Sequence, residues 1–162
     1  MLPFHTVLCP LDFSESSFKA LQNAAEIASH FQSELILVHV LTVIPVVPAE
    51  PAYIPGGAPV MPAASMDVEE QRQQELAAEE RLKLAIKRLP SQIRSRIQLG
   101  LGDAADEIVR IANTYPADLI VIATHGLTGW RHLVFGSVAE KVIRSAHQPV
   151  LVITVHDTEK SD

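Results

Sequence analysis

Cysteine is nearly absent from this chain, with Cys9 alone among 162 residues. A single thiol rules out a disulfide within the chain and a CxxC metal or redox pair. Long apolar runs are absent too, since no stretch approaches the roughly 20 residues of a transmembrane helix. The first residues have neither the basic region nor the apolar core of a signal peptide. We therefore expect a cytoplasmic protein without a membrane partner.

An excess of positive charge is also missing, because the formal net charge is −6. Nothing in that balance would attract a polyanion, so we expect no nucleic-acid partner. The pattern GxxxxGK[ST], in which a lysine reaches bound phosphates, does not occur. Any phosphate site must therefore be local and depend mainly on backbone groups.

The apolar positions that are present alternate between strand and helix periodicity. Short β-prone runs stand at 5–9, 35–41, 93–99, 117–122 and 149–155. Helical patterns lie between successive runs. This alternation predicts an α/β fold: a doubly wound, Rossmann-like, five-stranded parallel sheet of order 3-2-1-4-5 with helices on both faces. We expect one domain over 1–156 and a flexible tail over 157–162.

Several helix and strand boundaries carry signals of their own. Ser14 and Asp103 stand where a side chain can cap a helix start, and Pro90 predicts the end of a helix that runs to Leu89. Gly102 indicates a turn, because acidic residues follow it and would repel a phosphate. In the third strand, arginines alternate with apolar residues, which is typical of a sheet edge.

The segment 44–66 has a different composition, with prolines throughout and Gly56-Gly57 near its middle. Such a segment cannot form a helix or a central strand, so we predict an extended surface loop. It could be a lid over a nearby site or an insertion without a role of its own. The sequence leaves both open.

A glycine-rich stretch follows the buried strand at 117–122 and leads into a helix that begins near Ser137. Glycines allow a close approach to backbone N–H groups, and a helix start presents such groups to an anion. In the helix, the fourfold spacing of Val138, Val142 and Ala146 places them on one face. The alternative is an ordinary strand–helix loop in which Ser137 caps the helix.

In the predicted strand order, the first and fourth strands are neighbours whose following loops diverge. Ligands bind at such a switch point in doubly wound sheets. One loop contains Asp12 and the other is the glycine-rich stretch. The carboxylate of Asp12 suits a ribose hydroxyl or an adenine amino group, although it could serve only the start of the first helix.

Four segments together resemble the universal stress protein family. They are PLDFS at 10–14, HV at 39–40, ATHG at 123–126 followed by GSV at 136–138, and QPVLVI at 148–153. The ATP-binding branch of that family carries glycine, two residues, glycine, nine residues, then glycine and serine or threonine. Gly126, Gly136 and Ser137 match the later positions, whereas Ala123 replaces the first glycine. The resemblance also implies a fold like that of the adenine nucleotide alpha hydrolases.

The resemblance implies a nucleotide-binding set at Pro10, Asp12, Val40, Ile122, Ala123, Gly126, Gly136, Ser137 and Val138. In this set Asp12 and the backbone of Val40 would contact adenine. Pro10 and Ala123 would flank the ribose, and the later glycines with their neighbours would hold the phosphates. Thr124, His125 and Arg131 are candidates for further phosphate contacts, and His132 is another.

The function implied by the resemblance is that of an ATP-binding regulator in the stress response. ATP would bind with Mg²⁺, AMP or ADP could replace it, and no residue is assigned to catalysis or to a metal. The family also implies a homodimer through the strand at 149–155 and a protein partner that the sequence does not identify. Two alternatives remain open: a slow ATPase or phosphotransferase with His125 or His132 as base, and a dimeric adaptor without nucleotide, which Ala123 favours.

Overall fold

The computed structural model describes residues 3–42, 68–124 and 136–154. In these ranges the elements are, in chain order, β1 (Thr6–Pro10), α1 (Glu15–Phe31), β2 (Glu34–Leu41), α2 (Val68–Ile86), β3 (Arg94–Leu101), α3 (Ala104–Thr114), β4 (Leu119–Ala123), α4 (Ser137–Ser145) and β5 (Val150–Ile153). The predicted loop at 44–66 and tail at 157–162 lie outside the described residues. None of the helices described has the length and hydropathy needed to cross a membrane.

The strands form one sheet of order β3-β2-β1-β4-β5, and every neighbouring pair is parallel. This confirms the predicted fold and strand order. The strands β3 and β5 form the two edges of the sheet. Arg94 and Arg96 are exposed on β3, as the alternating pattern predicted, and Arg96 pairs with Glu34 of β2.

Alternate residues of the central strands enter two core layers, because successive side chains of a strand point to opposite faces. Val7 and Cys9 pack in the layer that contains Leu82 of α2 and the inner face of α1. Leu8 packs in the other layer, which contains Val142 of α4 and the inner face of α3. Helices therefore cover both faces of the sheet.

Side-chain caps open α1 and α3 as predicted. Ser14 accepts a hydrogen bond from the backbone N–H of Ser17, and Asp103 accepts from the N–H groups of Ala105 and Asp106. Before α3 the chain turns at Gly102, whose φ of 131° suits glycine.

The predicted bounds of several elements, including all five strands, differ from the observed ones by a few residues. The helix expected to reach Leu89 ends at Ile86, and the next residues form tighter turns in which Leu89 donates to the Ile86 carbonyl. Pro90 explains the early end, because it has no N–H to donate to the carbonyl of Ile86, four residues earlier, and its ring would clash with that carbonyl. The third strand spans Arg94–Leu101 rather than 93–99, since its end stays paired with β2, and β5 stops at Ile153.

Candidate functional site

A cavity of about 340 Å³ opens at the carboxyl ends of β1, β2 and β4, between the starts of α3 and α4. The predicted site residues within the described ranges all line it: Pro10, Asp12, Val40, Ile122, Ala123, Thr124, Gly136, Ser137 and Val138. Gly126, His125, Arg131 and His132 lie outside the described residues. The sheet thus brings Asp12 together with the two described ends of the glycine-rich stretch, at the predicted switch point.

The strand pairing explains this convergence. The central strand β1 pairs with β2 on one side and with β4 on the other. Leu11 continues the ladder beyond β1 by donating to the Val38 carbonyl at 2.7 Å, so the chain leaves the sheet at Asp12. On the other side, β4 ends at Ala123, also at the carboxyl edge. The gap between these two exits is the cavity.

The start of α4 forms one wall of the cavity. Gly136 is its N-cap and Ser137 its first helical residue, so the alternative in which Ser137 caps the helix does not hold. No side chain hydrogen-bonds at this cap in the described part of the chain. The first N–H groups of a helix need partners and carry partial positive charge, so this start favours an anion.

Val138 also lies differently from the expectation. It was predicted on the same helical face as Val142 and Ala146, but it is 38% exposed and lines the cavity, whereas Val142 is buried. The structure buries Ala139 and Val142 instead. Spacings of three and four residues both place side chains on one helical face, so Ala139, Val142 and Ala146 satisfy the same periodicity.

The carboxylate of Asp12 organises the loop on the opposite wall. Its Oδ1 accepts hydrogen bonds from the backbone N–H of Ser14 at 2.9 Å and from the Ser14 hydroxyl at 2.5 Å. Between them Phe13 has a φ of 64°, a left-handed conformation that is unusual for an aromatic residue. Asp12 therefore supports the start of α1 and also lines the cavity.

Sequence analysis did not identify the packing behind Asp12. The His39 ring lies 4.5 Å from the Phe13 ring, and the Arg81 guanidinium lies 3.8 Å from the centroid of that same ring. Nδ1 of His39 donates to the Leu11 carbonyl at 2.6 Å. Burial lowers the pKa of His39, and the positive charge of Arg81 acts in the same direction. Arg81 comes from α2, and no local pattern connects it with Phe13.

Helix α3 forms a further wall of the cavity, which the sequence did not predict. Ala104 and Ile108 line the cavity, and nothing in their helical spacing distinguishes them from core residues. Thr124, a candidate phosphate contact, is 1% exposed, and its backbone N–H bonds to Ile153. A phosphate contact from its hydroxyl stays a prediction.

Groups of three or more His, Cys, Asp or Glu side chains that could hold a metal are absent from the ranges described. The described lining of the cavity is apolar for the most part, with the Asp12 carboxylate on one wall and the α4 start on another. An uncharged ring system with an attached anion would match these surfaces.

A sequence model of the universal stress protein family matches residues 3–154, almost the whole chain. The chain belongs to the universal stress protein family. Universal stress protein MJ0531 of Methanocaldococcus jannaschii is 32% identical over 154 residues, covering 93% of this chain and 82% of that protein. The resemblance inferred from the four sequence segments is thereby confirmed.

Solved structures show the same fold in other members of the family. The structure of MJ0577, a universal stress protein of Methanocaldococcus jannaschii, has a TM-score of 0.74 and 25% identity, covering 95% of this chain and 98% of that one. A universal stress protein of Archaeoglobus fulgidus, solved in complex with dAMP, has a TM-score of 0.60 and 25% identity, covering 94% and 98% of the two chains.

Proposed function

We propose that this universal stress protein binds ATP in the cavity between the starts of α3 and α4. The proposal rests on one observation. The glycine-capped start of α4 and the side chain of Asp12 line the same cavity. An adenosine group fits the apolar walls near Asp12 and Val40. The phosphates fit the backbone N–H groups of Ser137 and Val138, where the helix favours negative charge.

The size of the cavity and a relative support this assignment. A volume of about 340 Å³ falls within the range of small-molecule sites, roughly 300 to 1,000 Å³. The Archaeoglobus fulgidus relative, at 25% identity, was solved with dAMP, an adenine nucleotide. AMP and ADP are therefore alternative ligands of the same site.

The remaining parts of the site follow from the family pattern. Pro10, Ile122 and Ala123 would flank the ribose. Gly126 would bring further backbone N–H groups to the phosphates, with His125 and Arg131 as additional contacts. Mg²⁺ would arrive with the triphosphate, because such ions bind mainly through phosphate oxygens and water and need few protein ligands.

We infer that this binding has a regulatory role, because the sequence lacks the lysine of a P-loop. The protein would act in the cytoplasm during the stress response, as a single domain over 1–156 that presents different surfaces to a protein partner with and without ATP. A slow ATPase or phosphotransferase would need a base such as His125 or His132. A dimeric adaptor without nucleotide would leave the cavity unused.

We also infer a homodimer through the strand at 149–155. The described part of that strand, β5, lies at a sheet edge and has no charged residue. An apolar edge strand pairs readily with another strand, and pairing of two copies about a twofold axis gives a closed assembly.

Mass spectrometry of the purified, denatured protein tests the nucleotide proposal directly, because a bound adenine nucleotide would be released. Calorimetry with ATP should then give micromolar affinity, about −8 kcal/mol. A Gly126→Val variant should lose binding, since a branched side chain would occupy the phosphate space. Turnover of labelled ATP distinguishes the enzyme alternative, and a protein that neither carries nor binds nucleotide would be the adaptor.

A further inference from the structure

Lys141 of α4 reaches across to the start of α3. Its Nζ lies 3.1 Å from Oδ1 of Asp103 and 2.9 Å from Oδ2 of Asp106. Its hydrogen bonds to Asp106 and Asp103 raise the pKa of Lys141, so the side chain remains charged at neutral pH. The ammonium group is therefore held among carboxylates that belong to the opposite helix.

The position of Lys141 on α4 also brings it close to the cavity. It follows Ser137 by four residues, and residues with that spacing share a helical face. Side chains of a helix lean toward its N-terminus, so Lys141 leans toward the glycine-capped start. Ser137 lines the cavity, as does Ala104, the residue after Asp103. The positive charge thus lies beside the start of α3, next to a residue that lines the cavity.

The two helix starts differ in charge. Asp103 caps α3, and Asp106 and Glu107 add negative charge to its first turn. The start of α4 has a glycine cap and Glu140 in its first turn. An anion placed at the α4 start therefore lies near a neighbouring helix whose start carries negative charge, although from α3 only Ala104 and Ile108 are among the described residues that line the cavity. Lys141 compensates part of that repulsion, because it lies beside two of those carboxylates.

We propose that Lys141 is a specificity-determining residue that sets how strongly the cavity prefers nucleotides with more phosphate charge. The inference rests on the proposed binding of phosphates at the start of α4. A phosphate chain there draws Lys141 away from Asp103 and Asp106, or shares it with them. An uncharged nucleoside leaves the lysine where it is. The contribution of Lys141 to the binding free energy therefore grows from adenosine through AMP and ADP to ATP.

Solvent exposure limits the size of this effect. The Lys141 side chain is 45% exposed, and ion pairs with exposed partners contribute little and are screened by salt. The same exposure allows the lysine to exchange one anionic partner for another at small cost. A graded change in affinity is therefore expected rather than loss of binding.

Calorimetry on the full chain with adenosine, AMP, ADP and ATP tests the inference. Lys141→Met should weaken ATP binding by about threefold to fivefold and adenosine binding by less than about twofold. Asp106→Asn should strengthen ATP binding and leave adenosine unchanged, because it removes a carboxylate and releases the lysine. Both differences should shrink at about 0.5 M salt. Lys141→Arg should restore most of the ATP affinity.

Arg144→Met is the matched control. Arg144 lies on the same helix about one turn further from its start, and its ion pair is with Glu140 of α4. The Arg144→Met substitution removes the same charge as Lys141→Met, and it should leave the affinities for adenosine, AMP, ADP and ATP unchanged. An equal effect of both substitutions, or an equal loss for adenosine and ATP in Lys141→Met, would overturn the inference. A parent protein that binds none of the four ligands would overturn the proposed function itself.

Discussion

The backbone N–H of Gly136 donates a 2.6 Å hydrogen bond to the carbonyl oxygen of Thr124. Thr124 is itself held by a 3.0 Å bond from its N–H to the carbonyl of Ile153 in β5. The cap of α4 is therefore attached to the sheet next to the end of β4. The N–H groups that open α4 keep a set position relative to the cavity, with no side-chain cap from the residues that the structure describes.

Replacing Gly136 with aspartate should stabilise the fold and at the same time weaken ATP binding. Gly136 has φ −71° and ψ 151°, which any residue adopts, so a carboxylate cap can form there. The cap should raise the free energy of unfolding by about 0.5 kcal/mol. It should weaken ATP binding at least about tenfold, because the carboxylate competes with phosphate. Thermal unfolding and calorimetry measure the two effects, and Gly136→Ala controls for bulk. Full ATP affinity in a stabilised Gly136→Asp protein would show that phosphates bind elsewhere.

Two substitutions of Asp12 distinguish its structural contacts from its proposed contact with adenosine. Asp12→Ala removes both hydrogen bonds to Ser14 and should cost about 1 kcal/mol of unfolding free energy. Asp12→Asn retains an oxygen that can accept them, so stability should be nearly unchanged. Both should weaken adenosine binding, since the amide puts a donor where the carboxylate had an acceptor. Denaturant unfolding and calorimetry with adenosine are the measurements. Parent-like adenosine binding by Asp12→Asn would exclude the proposed contact.

His39 should make the protein less stable as the pH falls below about 6.5. Burial is the main reason that its pKa is lower in the folded protein than the ordinary value. Between the two pKa values the unfolded chain binds the proton more readily, so folding stability is full above about pH 6.5 and is lost as the pH falls through the folded pKa. Unfolding free energies between about pH 8 and 5 measure the loss. His39→Gln should flatten this part of the profile, and an unchanged slope would assign the loss to other groups.

Much of the fold could be predicted because its signals are local. Runs of buried residues such as Val7–Cys9 and Ile120–Ile122 predicted strands enclosed on both faces, and Ser14 and Asp103 predicted helix starts. The alternation of strands and helices then restricted the sheet to few topologies. The candidate site followed from topology, because parallel strands bring distant loops to one edge.

The parts that could not be predicted depend on choices that local sequence leaves open. Ser137 and Gly136 can both cap a helix, and the attachment of Gly136 to Thr124 decides between them. Val138 and Ala139 satisfy the same apolar periodicity, so the helix rotation that exposes Val138 comes from packing. The contact between Arg81 and Phe13 joins residues far apart in the chain and leaves no periodic signal.

A lysine in β5 should convert the proposed dimer into a monomer. The edge position of β5 and the 37% exposure of Leu151 leave backbone and apolar surface available to a second copy. Ile153→Lys would bring two like charges together across a twofold axis, which should cost several kcal/mol of association free energy. Sedimentation of the parent and the variant at tens of micromolar measures the change. Parent protein that sediments as a monomer at that concentration would refute the dimer.

The other sheet edge supplies the control for this experiment. Gln98→Lys adds the same charge to β3, which already has exposed arginines, so that variant should remain dimeric. Ile153 packs partly against the core, and a lysine there could also weaken the fold. Leu151→Lys addresses this, because the side chain is more accessible and the fold should tolerate the change. A folded Leu151→Lys protein that stays dimeric would place the interface away from β5.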